Sequence, residues 1–418
     1  MHPADPPTPT GWGRRSDACA RIFPLAVQRR RLGRACCRVT ALRLEYLVQN
    51  PDTLRRYRHR SPRALVSLPF ALVRSLPIVP EGHIRIGGPL AIPEVLLGLG
   101  VEPREVLASV GLDASIFCDP GTPLPCTTLG RLVNACVART ACRHFGLLVG
   151  ARGGPSSLGL VGLLIHQAAD VGTALRQAVL YLHLHDRGAV ALLSSQGDIA
   201  RLTYAIYAPG VEGSEQIGEG AIAISCNVIR SLCRAAWVPS AVLLAGHRPA
   251  DVRPYRRFFR APVRFDADQN ALVFPAALLN QRLPRAKLEL QQAVIKAVQQ
   301  LDHELALDFS TKVRRVVRAG LIVGQYSADQ TAALFGMQRR TLSRRLREEG
   351  TTFEALLAEI RYETARQLLT DTRMPMHNIA EAIGYAEVSV FTRAFKRWSG
   401  TTPSVWRSSL PVRSYGPA

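Results

Sequence analysis

The sequence predicts an α+β domain followed by an all-α domain built from two helix-turn-helix units. Three observations carry this reading. The segment pattern Ala-x-x-x-Gly, followed by two apolar residues at helical spacing, occurs twice: Ala332/Gly336 with Leu342/Leu346, and Ala380/Gly384 with Phe391/Phe395, a repeat of 48 residues. The middle of the chain mixes 3.6-residue periodicity with alternating runs, so it needs both helices and strands. Positive charge is concentrated at the two ends. Residues 1–74 hold 15 Arg and 4 acids, and 309–418 hold 17 bases and 9 acids, whereas 75–308 are nearly balanced with 21 and 19. A basic face can be no more than a solvated surface. Together with the repeated turns it marks a binder of polyanions.

Taken in order, 1–80 is Arg/Pro-rich and aperiodic, broken by Pro3, Pro6, Pro7, Pro9 and Pro24, and is expected to be disordered. After Met1 the next methionine is Met337. One reading therefore starts the native chain at a downstream non-Met codon, for example at Val79. Residues 85–290 form the mixed domain. Ile92–Leu99 and Arg104–Val110 read as short helices bounded by Gly. Thr128–Arg139 aligns Leu129, Leu132, Val133 and Cys136, and Val171–Leu182 aligns Ala174, Leu175, Ala178 and Val179. Ala189–Ser194 and Ile199–Tyr207 read as strands joined by the turn Ser195-Gln196-Gly197-Asp198. A long apolar helix, Gln216–Ala236, precedes short strands at Val242–Ala245, Val263–Phe265 and Ala271–Phe274. Leu288–Leu307 is helical and supplies a linker over 291–308.

Residues 309–410 read as seven helices, with 411–418 as a flexible tail. Ser327 is placed to cap its helix, and Gly350 and Gly400 to close the two Arg-bearing ones. In each unit the Ala lets two helices cross closely, and the Gly takes the positive φ that a sharp turn needs. One such pattern is common by chance. Two, with matching apolar positions and a long connector at Phe353–Thr370, are specific.

Burying Leu342 and Leu346 exposes Arg339, Arg340, Ser343, Arg344 and Arg347 on the first reading helix. Arg340, Ser343 and Arg344 are best placed for base edges, Arg347 for phosphate. Burying Phe391 and Phe395 exposes Glu387, Val388, Ser389, Thr392, Arg393 and Lys396 on the second. Glu387 either accepts from a cytosine N4 or caps its own helix. Val388 suits a thymine methyl. Two such units 48 residues apart would set two helices about one DNA turn apart, on successive major grooves.

At this level residues 309–410 resemble the DNA-binding domain of the AraC/XylS family. The likeness is carried by Ile379-Ala380, Gly384-Tyr385, Ser389, Phe391, Arg393 through Trp398, Gly400, Pro403 and Arg407, and in the first unit by Gly336-Met337, Arg340-Thr341-Leu342 and Arg344-Arg345-Leu346. Gln338 departs from the family's usual Ser cap. In the middle block Phe145-Gly146-Leu147, Val238-Pro239, His247-Arg248-Pro249, Tyr255-Arg256-Arg257, Pro262 through Phe265 and Leu272-Val273-Phe274 resemble an arabinose-binding-type effector domain, of the subgroup similar to ornithine-utilisation regulators. The resemblance implies an α+β effector-binding and dimerisation domain, and a bacterial cytoplasmic transcription factor. Many of its members are homodimers and activators that recruit RNA polymerase to promoter DNA in answer to a small metabolite. Amino acids and amines fit the subgroup.

An effector pocket needs apolar walls with a few polar groups. The candidates are His183, His185, Asp186, Arg187, Tyr204, Glu215 and Glu219. His183-x-His185 invites a metal reading, yet such a pair aligns only on a strand, so no metal and no cofactor are expected. Catalysis is disfavoured: Gly-x-Ser-x-Gly is absent, Gly218-x-Gly220 lacks a third Gly, and Cys118 and Cys126 lack clustered partners. Nine Cys without a C-x-x-C pair fit a reducing compartment, and no apolar run reaches membrane-spanning length. A nonspecific architectural DNA protein is the remaining alternative. It leaves the charge-balanced middle unexplained.

Overall fold

Alternating apolar residues on either side of Gly197-Asp198 fold as β3 (Ala189–Gln196) and β4 (Ile199–Ile206), an antiparallel hairpin in which Gln196 faces Ile199. Gly197 takes a φ of +56°. The turn is therefore two residues long, not the four predicted, because β3 pairs through Ser195 and Gln196. β4 pairs antiparallel with β7 (Asn270–Pro275), β7 with β5 (Ala241–Leu243), and β5 runs parallel to β6 (Val263–Arg264). The five-stranded order is β3-β4-β7-β5-β6. These relations come from a computed structural model that describes residues 77–233, 236–284, 288–304, 308–322, 327–371 and 374–409. The predicted extension up to residue 76, the ends of two predicted helices at 234–235 and 305–307, and the tail at 411–418 lie outside the described residues.

Helices surround this sheet. They are α1 (Ile92–Gly98), α2 (Pro103–Ser109), α3 (Cys126–Thr140), α4 (Phe145–Arg152), α5 (Leu160–Ile165), α6 (Val171–Tyr181), α7 (Ser214–Cys233) and α8 (Arg253–Phe259). α4, α5 and α8 were not predicted. They are short, and α4 and α5 are apolar on every side, so no periodicity marks them. A two-stranded ribbon, β1 (His83–Arg85) against β2 (Pro123–Pro125), was also missed, since three-residue strands leave no pattern. Val79 is 2% exposed, so the segment expected to be disordered through residue 80 is packed from at least Val79 onward. Arg85 holds it there, its guanidinium donating to the carbonyls of Leu184, Gly121 and Pro77.

The larger of two cores sits between the five-stranded sheet and its helices, and a second joins α1, α2 and α3 to the β1–β2 ribbon. Ile222, Cys226 and Ile229 of α7 meet Phe274 of β7 and Tyr255 and Phe259 of α8, all fully buried. Burying each Phe or Ile side chain stabilises by roughly 1.5–3 kcal/mol before entropy is counted. α4 approaches α7 closely through Gly146 and Gly150. A β-carbon on Gly146 would overlap the carbonyl oxygen of Gln216, and one on Gly150 that of Gly220.

α9 (Leu288–Glu304) was expected as a linker. Its Val294, Ala297, Val298 and Leu301 are buried in the same core as the sheet helices. Seven helices follow: α10 (Phe309–Ile322), α11 (Ala328–Leu334), α12 (Arg339–Glu348), α13 (Phe353–Asp371), α14 (Met376–Ala382), α15 (Val388–Ser399) and α16 (Pro403–Ser409). α13 spans two small cores. Phe353, Leu356 and Ile360 join Leu342 and Leu346 in one, and Ala365 and Leu369 join Phe391 and Phe395 in the other. No helix among the described residues is long and apolar enough to cross a membrane.

The glycine crossing yields a direct expectation. Gly146→Ala destabilises the folded chain by about 1–3 kcal/mol, because the α4–α7 backbones must separate to admit a methyl group. Urea denaturation checks it, with Gly98→Ala, whose β-carbon meets nothing within 4 Å, as the control.

Candidate nucleic-acid interface and effector cavity

The two repeated turns are the same structure built twice. In the first, Gly336 N–H bonds the Ala333 carbonyl at 3.0 Å and Met337 N–H bonds the Ala332 carbonyl at 3.0 Å. In the second, Gly384 bonds Glu381 at 2.9 Å and Tyr385 bonds Ala380 at 2.8 Å. Gly336 and Gly384 have φ of +65° and +78°, values that L side chains resist. Ala332 and Ala380 are buried where the helices cross, and Leu342, Leu346, Phe391 and Phe395 are fully buried beneath them.

Above those anchors, Arg339, Arg340, Arg344 and Arg347 are exposed and Ser343 half-buried on α12. Arg344 pairs with Glu348 one turn on, at 2.5 Å, and Arg339 lies 3.5 Å from Asp329. Both pairs are solvent-exposed and weak, so either Arg exchanges its partner for a phosphate or base at small cost. On α15, Glu387, Val388, Ser389, Arg393 and Lys396 are exposed and Thr392 half-buried. Glu387 occupies the N-cap position, but its carboxylate makes no capping bond. It accepts from the Ser389 hydroxyl at 3.0 Å instead. Gln338 caps nothing at the start of α12. Gly400 ends α15 in the left-handed conformation, its N–H on the Lys396 carbonyl.

The middle domain encloses a cavity of about 130 Å³ between α4, α6, α7 and the β3–β4 hairpin. Its walls are mainly Leu129, Val133, Phe145, Leu175, Leu202 and Ile224. Of the seven predicted effector residues, His185, Asp186 and Tyr204 line it. Asp186 accepts from the Tyr204 hydroxyl at 2.8 Å and from the backbone of Gly188 and Ala189. Burial raises its pKa against these bonds. Burial, with Arg85 adding to it, drives His185 down to about 3, so its ring is neutral at pH 7. Gln216, Thr203 and Ser225 also reach the cavity and carried no sequence signal.

The other four candidates stand elsewhere. Arg187 is held by Glu81 at 2.7 Å and by the Val79 carbonyl. Glu215 is exposed at the start of α7. Glu219 is buried against the Tyr255 hydroxyl at 2.9 Å, and burial pushes its carboxyl up to about 8. His183 turns away from His185 to a second cavity. Its Nδ1 meets the Leu180 carbonyl and its Nε2 meets Asp302 of α9, both at 2.9 Å. Asp302 also takes the Lys312 ammonium of α10. One carboxylate thus ties the middle domain, α9 and the first helix of the C-terminal half.

The fold and its paired turns define the class: a helix-turn-helix DNA-binding transcription regulator with an effector-binding domain. Residues 100–283 match the arabinose-binding N-terminal domain of AraC transcription regulators, and 331–409 match a helix-turn-helix domain. The chain belongs to the AraC family. It is similar to the ornithine utilization regulator of Pseudomonas aeruginosa, 27% identical over 331 residues that cover 77% of this chain and 96% of that protein. The regulator VirS of Mycobacterium tuberculosis is 25% identical over 75% of this chain and 93% of its own length. The solved structure of the transcriptional regulator CdpR from Pseudomonas aeruginosa matches 76% of this chain and 96% of its own, at 23% identity and a TM-score of 0.37. The matching families and relatives are transcriptional regulators rather than enzymes.

Two outcomes follow from the buried acids. Glu219 binds its proton more tightly when folded, so its stabilisation is complete below about pH 4.5 and lost as pH rises through about 8. Glu219→Gln, which still accepts from Tyr255, should match the parent near pH 5 and exceed it above pH 8 by ~1 kcal/mol or more in urea melts. Asp302→Ala strips His183 and Lys312 of their shared partner. Hydrogen exchange in α9 and α10 should then quicken about tenfold while β3–β4 is unchanged.

Proposed function

We propose that this regulator binds promoter DNA as a homodimer in the bacterial cytoplasm, sets α12 and α15 of each copy into successive major grooves, and activates transcription by recruiting RNA polymerase. The observation that carries the reading is the duplicated turn. Two wedges with the same hydrogen bonds project one strongly basic helix and one mixed helix, both anchored on α13. α12 presents four exposed Arg in the face above Leu342 and Leu346 and suits base edges. α15 offers Val388 and Ser389 at its N-terminal end, with Arg393 and Lys396 for the backbone.

The small-molecule effector enters the cavity beside His185, Asp186 and Tyr204. Among its described lining residues Asp186 is the one charged group, and neither Lys nor Arg is present. A free carboxylate would find no cation there. These walls favour an amine or an uncharged molecule with an apolar body over a free amino acid such as the ornithine named for the Pseudomonas relative.

Footprinting and salt titration test the DNA reading. Arg344→Ala should lose about 1–3 kcal/mol of discrimination at one base position. Lys396→Ala should weaken all sequences alike and reduce the salt slope by about one. An unchanged preferred site in Arg344→Ala would sink the assignment of α12 as base reader.

A further inference from the structure

The joint between the two domains holds a cavity larger than the one in the effector domain, about 250 Å³. One wall is Val179–His183, Val190 and Tyr207. The other comes from the DNA-binding half: Phe309, Lys312, Arg315, Met337 and Arg345. Three bases therefore face a space that also sees two acids, Asp302 and Asp186. Neither acid bonds the terminal nitrogens of Arg315. Asp302 is shared by His183 and Lys312, and Asp186 is taken up by Tyr204 and two backbone amides. Glu81, whose charge also acts on Arg315, is held by Arg187 and by the Tyr207 hydroxyl at 2.6 Å.

Arg315 is left over. Both terminal nitrogens of its guanidinium are shielded from solvent and meet no hydrogen-bond partner among the described residues. Burial presses its pKa down, and Arg187 adds to the effect. A buried guanidinium with an unused edge is costly, because its N–H groups have lost water and gained nothing. That edge presents parallel donors in the geometry that matches two oxygens of one carboxylate or phosphate.

We propose that the joint cavity is a binding site for a small anion, a carboxylate or phosphate group, held by the guanidinium edge of Arg315 with Lys312 and Arg345 beside it. The site is distinct from the effector cavity, which has no base among its described lining residues. It is assembled from both domains, so it exists only when they are docked, and an anion bound there stabilises the docked form. Arg345 belongs to α12 and Met337 to the turn before it. The bound anion would thus touch the base-reading unit itself.

The test uses the full chain and two probes, inorganic phosphate and acetate, at ionic strength held constant with chloride. Isothermal calorimetry should show saturable binding of at least one probe. Saturation with phosphate alone assigns a phosphate group, and saturation with acetate assigns a carboxylate. Arg315→Gln should weaken that binding about tenfold or abolish it. Arg315→Lys, which keeps charge and bulk but loses the fork, should weaken it as well and serves if the Gln variant does not fold. Non-saturable heats with both probes, or equal affinity in parent and variants, would overturn the site. No DNA is present in these titrations, so their failure leaves the promoter-reading proposal standing.

Discussion

The geometry of the DNA-binding half rests on one constraint: the two ends of α13 are buried in different cores. Phe353, Leu356 and Ile360 belong to the first wedge, and Ala365 and Leu369 to the second. A helix of 19 residues is nearly rigid over its length of roughly 28 Å. The offset between α12 and α15 is therefore a property of one continuous backbone and not of a flexible joint. Ion pairs from Arg314 and Arg318 of α10 to Glu359 and Glu363 pin its exposed side. Tyr362, Phe395, Trp398 and Trp406 pack around its C-terminal half, with Arg366 over two of the rings. Reading two grooves at a fixed spacing, as proposed, would draw on this rigidity, since every degree of play between the helices would be lost as entropy on binding.

The second structural theme is the packing of α9. The sequence leads one to expect a helical linker over 291–308, yet α9 gives its apolar face to the effector core. Val316 of α10 and Leu334 of α11 are buried in that same core, and Arg318 lies over the Tyr207 ring at 5.4 Å. The domains share hydrophobic surface as well as the Asp302 contacts. A regulator docked in this way can pass a change at one domain to the other through packing.

What the sequence revealed follows from where the determining forces are local. The turns at Gly336 and Gly384 are set by a positive φ and two short backbone bonds, so five residues suffice to predict them. The anchors Leu342/Leu346 and Phe391/Phe395 follow from helical period alone. The β3–β4 hairpin was visible because alternation and a Gly turn are local too; only its loop length was misjudged. The crossing of α4 on α7 was invisible, because Gly146 matters only through a carbonyl 70 residues later. The segment His183-x-His185-Asp186 reads as one polar site in the sequence, but its two rings serve different cavities. His183 finds Asp302 at a separation of 119 residues, which no spacing argument reaches. Glu215 and Glu219 are polar candidates by residue type, and residue type alone does not say whether a side chain faces a cavity, solvent or a tyrosine.

The turn 182–186 joins these threads. Leu182 and Asp186 line both cavities, while His185 faces one and His183 the other. A single short segment is thus the wall between the space in the effector domain and the space at the domain joint. Any ligand that shifts this wall changes the setting of His183, and through it the carboxylate that also holds Lys312 of α10. A ligand in one cavity that moves this wall would alter the affinity of the other, and linkage makes such an effect reciprocal. A ligand with an apolar body in the first space and an anion in the second would act on one element from opposite sides. Their combined effect on docking would differ from the sum of each alone, by an amount set by how the 182–186 backbone is placed when both are bound.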